Sequence, residues 1–552
     1  MSKKKFLPHF FLVLSIMVGG FLCFYKLNWG EGYFFHPDEY HIVGAVARLL
    51  SGGLSTNPKL FSYGSFSIYL IYLTHQAASF FLNIKNPNIF LIGRFLAALF
   101  STLTLINIYL ISRKIFMKNN TLPILSVITA VFVPGLIQQA HFSTPESFMT
   151  FWITLSSYFL ILYYEKEKML YLILSAIFLG ISGGCKISAF AAFPFIILLL
   201  LFTRIKKETI KKNLQNTILF AFITLVSFLM VFPYAFIDYK NFIQTTMYES
   251  SLSLGKLMVF YTRSFNNSLP VVFQLTKIYP YTLGIFLTLF SFVGVLIASI
   301  TYPKSRSKLK IGVLILLVYF YSYFFFNSFL FTKWTRFIHQ TIPYLIIFAF
   351  VGVDKILQQF KNPKAKDLLL ITFSTLIVFP TFLWGTMFFS IYKNKDVRSS
   401  ASEWLVKNTT KDSVILTETG NTLEVPLWGT YKIIPFDFYN LDHNPILYSK
   451  LISDIGSSDY FIIQSRRIYL NHNKDEFPKV YNFYNSLFSG NLGFEEIKTF
   501  SSFPSLNVGS LRFQINDERA EETWSVFDHP VIYVFKKTKV YPLNYYDQLL
   551  GQ

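Results

Sequence analysis

Long apolar stretches recur along the chain as far as residue 391, separated by short polar loops. A helix needs about 20 mostly apolar residues to cross the hydrocarbon core of a bilayer. The pattern therefore predicts eleven membrane-spanning helices, near residues 7–25, 92–111, 122–138, 147–164, 168–184, 187–203, 216–234, 278–300, 311–331, 337–353 and 367–391. The first follows three lysines and no small-residue cleavage site comes after it, which favours an uncleaved anchor over a signal peptide.

A twelfth apolar stretch, residues 66–83, is interrupted by Thr74, His75 and Gln76. If it does not cross the membrane, five short loops with 18 Lys and Arg residues in all lie on the same side as Lys3, Lys4 and Lys5. Cytoplasmic loops carry an excess of Lys and Arg, so we expect the N-terminus inside. Residues 66–83 are then a surface helix of the first external loop.

Composition changes near residue 393, where the apolar stretches end and charged residues become more frequent. Ser402–Asn408 has a helical pattern, and Val414–Thr417, Tyr460–Gln464 and Val531–Phe535 resemble buried strands. The predicted fold is an all-α polytopic membrane bundle, residues 1–392, followed by an α/β domain, residues 393–552. An odd number of spans places that domain outside the cell membrane.

Charge and composition agree with a membrane protein. Only 14% of the residues are charged and 53% are hydrophobic, whereas soluble proteins have about a quarter charged residues. The net charge of +20 could indicate nucleic-acid binding, but the basic residues concentrate in the predicted cytoplasmic loops. We therefore expect membrane lipid, and no nucleic acid, among the partners.

The first external loop begins with the segment from His36 to His41, which contains two adjacent acids. Pro37 suits the first position of a helix, and acids in a first turn favour a helix N-terminus. This predicts an amphipathic helix to about Leu50, with Asp38 at the edge of its apolar stripe and Glu39 near the centre. Glu39 fits a capping role and a functional role equally well.

Further polar residues are predicted at the same outer surface. His141 and Glu146 lie in the short loop before the span 147–164, where Glu146 could simply compensate a helix dipole. Arg94, Lys186 and Arg336 lie at the outer ends of other spans, where long basic side chains often snorkel. Ionisable groups at membrane depth are costly, so these positions are also functional candidates.

In order along the chain, these motifs resemble the GT-C glycosyltransferases of the protein O-mannosyltransferase and aminoarabinose-transferase group. The resemblance rests on His36-Pro37-Asp38-Glu39-Tyr40, Arg48-Leu49-Leu50-Ser51-Gly52, Phe61-Ser62-Tyr63-Gly64-Ser65, Gly93-Arg94-Phe95, Ser112-Arg113-Lys114-Ile115-Phe116, His141 to Glu146, Gly183-Gly184-Cys185-Lys186, Phe232-Pro233-Tyr234, Thr335-Arg336-Phe337-Ile338 and Asp528-His529-Pro530. Glu146 stands where the family pattern has Asp, Cys185 replaces a Thr-like residue, and the tail has no Trp-Trp-Asp.

The resemblance implies transfer of a sugar from a polyprenyl-phosphate donor to an acceptor hydroxyl on a protein, lipid or glycan, with inversion. The acceptor needs one general base, and the leaving phosphate benefits from cations but needs no acid. By resemblance Asp38 is the base, Glu39 and Glu146 are further catalytic acids, and Lys186 and Arg336 contact phosphate. The remaining substrate-binding candidates are His36, His41, Arg94 and His141.

Two other functions stay open. A transporter or lipid flippase is also a many-span bundle, but it would place ionisable groups near the bilayer midplane rather than at the outer ends of helices. A non-catalytic scaffold would have no reason to carry Asp38 and Glu39 together. As to cofactors, His36, Asp38 and Glu39 could contribute ligands to a divalent metal ion, although they do not form a complete set.

Overall fold

The computed structural model describes residues 3–53, 55–117, 119–203, 210–301, 308–419 and 424–551. The chain divides into two compact units. The first comprises residues 1–27, 38–254 and 269–389, and the second comprises 28–37, 255–268 and 390–552. The compositional boundary at residue 392 thus lies close to Ser390. Segments 28–37 and 255–268, which composition alone groups with the bundle, fold with the second unit.

The first unit is helical. Its helices are α1 (Lys3–Phe24), α2 (Pro37–Ser51), α3 (Ser65–Phe81), α4 (Ile89–Ile115), α5 (Thr121–Val131), α6 (Pro134–Ala140), α7 (Glu146–Lys166), α8 (Met169–Cys185), α9 (Phe193–Phe202), α10 (Ile210–Val231), α11 (Tyr234–Ile237), α12 (Tyr239–Ser253), α13 (Tyr279–Thr282), α14 (Ile285–Thr301), α15 (Lys308–Phe329), α16 (Ile342–Leu357) and α17 (Pro363–Lys393). Short 3₁₀ segments at Ile187–Ala192 and Thr335–Thr341 precede α9 and α16, and a π-helical turn at Gln274–Ile278 precedes α13.

The apolar helices make this a multi-pass membrane protein. Within the described ranges, six are long and apolar enough to cross a bilayer: Ile89–Ile115, Glu146–Lys166, Ile210–Val231, Ile311–Phe329, Thr335–Leu357 and Pro363–Lys393. Two bent pairs, Thr121–Val131 with Pro134–Ala140 and Gln274–Thr282 with Ile285–Thr301, raise the number to as many as eight. Three shorter apolar helices lie at His9–Phe24, Met169–Cys185 and Ile187–Phe202. The number eleven therefore remains a prediction.

The orientation in the membrane also remains a prediction. Helix α3 forms where the sequence predicts a surface helix. Several of the basic residues used to assign the cytoplasmic side, at Lys118 and in 204–209 and 302–307, lie outside the described residues.

Two local features shape the bundle. Helices α5 and α6 meet at a 55° bend because Pro134 begins α6 and the preceding Val133 is extended. Helices α14 and α16 approach closely, since a Cβ on Gly294 would lie 1.9 Å from the carbonyl oxygen of Phe348. Small residues at such crossings allow membrane helices to pack backbone to backbone.

The second unit is α/β. Its strands are β1 (Val414–Glu418), β2 (Lys432–Phe436), β3 (Tyr460–Ile463), β4 (Phe494–Phe500), β5 (Ser505–Val508), β6 (Leu511–Gln514) and β7 (Ile532–Lys537). Its helices are α18 (Val397–Asn408), α19 (Pro445–Ser457), α20 (Arg467–Asn471), α21 (Pro478–Phe488) and α22 (Leu543–Leu550), with 3₁₀ turns at Phe260–Phe265, Phe438–His443 and Glu522–Trp524.

In the described part of this unit, five strands form one sheet in the order β2-β1-β3-β7-β4. Strands β1, β2 and β3 are parallel, whereas β7 is antiparallel to both β3 and β4. One apolar cluster includes Leu416 and Phe461, and a second includes Ile415 and Ile462. Successive side chains of a strand point to opposite faces, so the central strands are buried on both sides. The α/β class predicted for this domain is confirmed.

Candidate active site

The site is built on helix α2. Pro37 is its first residue, Asp38 and Glu39 occupy the first turn, and the helix ends at Ser51 before two glycines. Ile42 and Val46 on its apolar face are fully buried. The predicted helix is present with its two acids in the predicted turn.

Glu39 forms a buried ion pair with Arg94 of α4. Arg94 donates from Nε to Oε1 at 2.8 Å and from Nη2 to Oε2 at 2.7 Å, and both side chains are 0% exposed. The backbone N–H of Ser143 donates to the same Oε1 at 2.7 Å, and Arg94 Nη1 donates to the carbonyl of Leu27 at 2.8 Å. The pair therefore joins α2 to α4 and to the loop before α7. This arrangement favours a positioning role for both residues over direct contact with substrate.

Asp38 points elsewhere and pairs with Arg336. The Arg336 Nη1 lies 2.5 Å from Asp38 Oδ2, and the two side chains are 15% and 16% exposed. Arg336 belongs to the 3₁₀ segment before α16, where its guanidinium lies 5.0 Å from the ring centre of Trp334. Unlike the Glu39 pair, this pair is accessible to a small ligand.

A second pair joins Glu146 to Lys186, and only the lysine of this pair is partly exposed. Lys186 Nζ donates to Glu146 Oε1 at 2.8 Å, and their exposed fractions are 14% and 1%. Glu146 is the first residue of α7, and Lys186 directly follows α8 in an extended conformation. The ring of Phe337 lies 4.7 Å from Lys186 Nζ and 5.9 Å from the guanidinium of Arg336. Two carboxylate–cation pairs therefore adjoin one aromatic ring.

A close backbone approach holds Tyr63 beside this cluster. The N–H of Gly64 donates to the carbonyl of Cys185 at 2.9 Å, and a Cβ on Gly64 would lie 1.9 Å from the carbonyl oxygen of Gly184. Only glycine fits there. The Tyr63 ring lies 5.7 Å from Lys186 Nζ. Burial, followed by the Asp38 carboxylate, holds the pKa of the Tyr63 hydroxyl well above its usual value, so this hydroxyl stays protonated as a donor.

Glu249 on α12 is a third acid near the cluster, and the sequence analysis did not identify it. Burial raises its pKa, opposed by the charges of Lys186 and Arg336 and reinforced by Asp38. Only two acids occur in the segment 235–277, and Asp238 is the one nearer a span. Asp238 instead accepts hydrogen bonds from Asn57 and Asn241. Because acids are rare in this segment, the sequence alone could have marked Glu249 as a candidate site residue.

The three histidine candidates have different surroundings. His41 is exposed on α2 and interacts electrostatically with Glu249. His141 is fully buried, and its Nδ1 and Nε2 lie 2.8 and 2.9 Å from the carbonyl oxygens of Ile137 and Tyr25. His36 belongs to the second unit, where its ring centre lies 4.2 Å from that of Phe527. The structure thus gives His36 and His141 packing and hydrogen-bonding roles.

The Asp528-His529-Pro530 motif lies inside the second unit. His529 Nδ1 is 2.5 Å from Asp528 Oδ1, and Nε2 is 3.1 Å from Asp517 Oδ2. Burial lowers the pKa of His529, but the two carboxylates outweigh it and raise the pKa to about 10. The imidazolium is thus a buried structural charge.

No group of three or more His, Cys, Asp or Glu side chains is placed to hold a metal ion within the described residues. Of the proposed ligands, Glu39 is engaged by Arg94 and Asp38 lies beside Arg336.

An apolar cavity of about 600 Å³ lies between the 3₁₀ segment 187–192 and helices α9, α14 and α15. Its lining includes Ala191, Phe195, Leu317, Tyr321 and Phe325. Ala191 follows Lys186 by five positions, so the cavity and the charged cluster share the connection between α8 and α9.

Several known proteins are similar to this chain. The structure of apo ArnT from Cupriavidus metallidurans has 12% sequence identity and a TM-score of 0.49, and the match covers 85% of this chain and 94% of that chain. The same protein bound to undecaprenyl phosphate has 12% identity and a TM-score of 0.47, with 84% and 93% covered. The S. cerevisiae protein O-mannosyltransferase Pmt1-Pmt2 complex bound to the sugar donor has 15% identity and a TM-score of 0.35, with 43% and 34% covered.

No curated protein sequence matches the chain. A family model does match, namely that of the dolichyl-phosphate-mannose-protein mannosyltransferases, over residues 73–234. That segment contains Arg94, Glu146 and Lys186 of the site just described. The resemblance to the protein O-mannosyltransferase group of GT-C glycosyltransferases is thereby confirmed, and residues 73–234 carry the family's sequence pattern.

Proposed function

We propose that this protein is an integral membrane glycosyltransferase that moves a sugar from a polyprenyl-phosphate-linked donor to an acceptor hydroxyl. The observation that carries the proposal is the accessible pair of Asp38 and Arg336 beside the pair of Glu146 and Lys186. The name of the matching family supports it, since that family uses dolichyl-phosphate-mannose as donor and protein as acceptor. By this reasoning Asp38 and Arg336 act at the reacting atoms.

The reaction needs a base on one side of the sugar and a cation on the other. Asp38 accepts the proton of the acceptor hydroxyl while that oxygen forms a bond to the anomeric carbon. The bond from this carbon to the phosphate oxygen breaks, and its electron pair remains on the phosphate. Arg336 can hold two phosphate oxygens through parallel N–H donors as the negative charge develops. A single displacement of this kind inverts the configuration of the anomeric carbon.

The ion pair between Asp38 and Arg336 suggests an order of events. A donor phosphate competes with the Asp38 carboxylate for the guanidinium. Once the phosphate has taken Arg336, the carboxylate loses its partner and becomes a stronger base, since a nearby cation lowers the basicity of an acid. The donor thus activates the base by binding.

The second pair and the cavity complete the proposed donor site. Lys186 provides another cation for phosphate, and Glu146 orients the acceptor or Asp38. The apolar cavity beside the connection between α8 and α9 has the chemistry to receive part of the polyprenyl chain. We place the reaction at the outer face of the cell membrane, with the N-terminus cytoplasmic and residues 393–552 extracytoplasmic, because the distribution of Lys and Arg favours that orientation.

The test is release of polyprenyl phosphate by full-length protein in nanodiscs, supplied with a labelled polyprenyl-phosphate-mannose donor and peptide acceptors. Asp38→Asn keeps the size of the side chain and removes the base, so release should fall at least about 10²-fold. Donor binding should survive, because the change removes no attraction for phosphate.

Asp354→Asn is the matched control, since Asp354 lies near the end of α16 and hydrogen-bonds to Gln358. It should release product at the rate of the unmodified protein. If Asp38→Asn releases polyprenyl phosphate at the unmodified rate, Asp38 is not the general base. Movement of donor across the bilayer without any release would establish a flippase instead.

A further inference from the structure

The second unit carries a separate hairpin formed by β5 and β6. Ser505 pairs with Gln514, Leu506 with Phe513, Asn507 with Arg512 and Val508 with Leu511. Gly509, at the first position of the two-residue turn, has φ +61°, a conformation that glycine adopts without strain.

The hairpin is amphipathic. Directly paired residues share a face, and alternate residues along a strand share it as well. Leu506, Val508, Leu511 and Phe513 therefore form one face, which Ile515 continues beyond β6. The opposite face consists of Ser505, Asn507, Arg512 and Gln514.

The apolar face is exposed in the chain alone. Val508, Leu511 and Phe513 are 55%, 63% and 54% exposed, and all four residues of β6 are exposed. A single two-stranded hairpin is marginally stable at best in water unless it packs on another surface. Contiguous exposed apolar residues of this kind mark an interaction surface.

The base of the hairpin is attached to the end of a membrane-spanning helix. Ser390 Oγ accepts a hydrogen bond from the N–H of Ser505 at 3.1 Å, and Asn394 Nδ2 donates to Ser502 Oγ at 3.1 Å. Ser390 lies in the last turn of α17, whose 31 residues exceed the length needed to cross the hydrocarbon core. At about 3.3 Å per residue, the four-residue strands reach roughly 13 Å from that point.

We propose that the apolar face of the β5–β6 hairpin lies in the headgroup layer of the membrane, on the side where α17 ends. The attachment at Ser390 starts the hairpin where α17 leaves the bilayer. Only 17% of the apolar window of α17 is buried within the protein, so most of the helix that leads to this point is open to lipid. Phe513 suits the interface, and Arg512 on the opposite face can extend towards lipid phosphates. Surface elements with one apolar and one polar face bind bilayers in this way.

The test uses single cysteines on the hairpin of the full-length protein. Cys23 and Cys185 are buried and are replaced by alanine, so that only the new cysteine reacts. Leu511→Cys and Phe513→Cys report the apolar face, and Arg512→Cys and Gln514→Cys are controls on the same strand. Each is labelled with an environment-sensitive fluorophore and compared in nanodiscs of phosphatidylcholine and phosphatidylglycerol, with and without brominated acyl chains.

We expect blue-shifted emission and a loss of emission in brominated nanodiscs at positions 511 and 513, and neither effect at 512 and 514. These side chains are exposed, so the substitutions leave the core intact, which thermal unfolding checks. Equal emission in both lipids at 511 and 513 would overturn the proposal. A different outcome would also overturn it: a blue shift that shows no bromine quenching and that disappears when each nanodisc holds one protein. That outcome would assign this face to contact with a second copy of the chain.

Discussion

The strongest structural prediction concerns Glu39→Gln. Glutamine keeps the size of the side chain but lacks the negative charge that neutralises Arg94. Its amide NH₂ group is itself a donor, so it cannot accept a hydrogen bond where one carboxylate oxygen does. Both side chains are 0% exposed, and the carboxylate accepts from Arg94 twice and from the Ser143 N–H once. Removing one partner of a buried ion pair costs about 3–5 kcal/mol, because the remaining charge is left uncompensated. This is roughly two to four decades in the ratio of folded to unfolded protein.

The assay is thermal unfolding of full-length protein in nanodiscs, followed by tryptophan fluorescence. Glu39→Gln and Arg94→Met should each unfold at a clearly lower temperature than the unmodified protein. The double variant, Glu39→Gln with Arg94→Met, should lose less than the two single losses added together, since no unpaired charge remains. Asp38→Asn should lose less stability than Glu39→Gln, because its pair with Arg336 is partly exposed.

The reasoning fails if Glu39→Gln unfolds like the unmodified protein. If that variant also lost sugar transfer while a well-folded Asp38→Asn retained it, Glu39 would be the base. If neither substitution changed transfer, the enzyme proposal would lose its main support.

Three further predictions test other parts of the account. Arg336→Ala should weaken the binding of polyprenyl phosphate by about one to two decades, because it removes a charge-assisted hydrogen bond to phosphate. An unchanged affinity would show that Arg336 does not bind the phosphate and only pairs with Asp38. An impermeant thiol reagent added outside intact cells should label Asn408→Cys and not Asn119→Cys, and the reverse would invert the topology. Burial raises the pKa of Glu418 to about 8 from its ordinary 4.5, so the folded state binds this proton more tightly. Thermal stability should therefore fall between about pH 5 and pH 8, and Glu418→Gln should flatten that slope unless another group causes it.

Helical periodicity was sufficient to predict α2, including the burial of Glu39 and the edge position of Asp38. It could not predict their partners, because Arg94 is 55 residues away in the sequence and the pairing depends on how helices pack. The Asp38–Arg336 and Glu146–Lys186 pairs were outside the reach of periodicity for the same reason. Their residues were each identified as candidates, since charges are rare at the ends of apolar stretches.

The spans and strands that differ from the prediction have local causes. The predicted straight span 122–138 is broken before Pro134, and the span 278–300 is bent by 117° near Gly284, whose φ is +86°. Hydropathy averages over such positions and does not detect them. The prediction also missed β2 and β4, which are the two edges of the five-stranded sheet. Edge strands are half-exposed, and the charged residues of β4 hide any apolar alternation.

The assembly of the second unit from three distant stretches of chain affects how the protein can be made and cut. Phe35 lies with its ring centre 3.7 Å from the Arg398 guanidinium, and Arg263 lies 4.1 Å from the ring centre of Phe477. A fragment beginning at residue 390 would lack both Phe35 and Arg263, so we expect it to fold poorly when expressed alone. During synthesis the N-terminal residues emerge first, so Phe35 is made long before its partner Arg398. An early stop codon anywhere before residue 390 would therefore leave residues 28–37 without Arg398, their partner in the second unit.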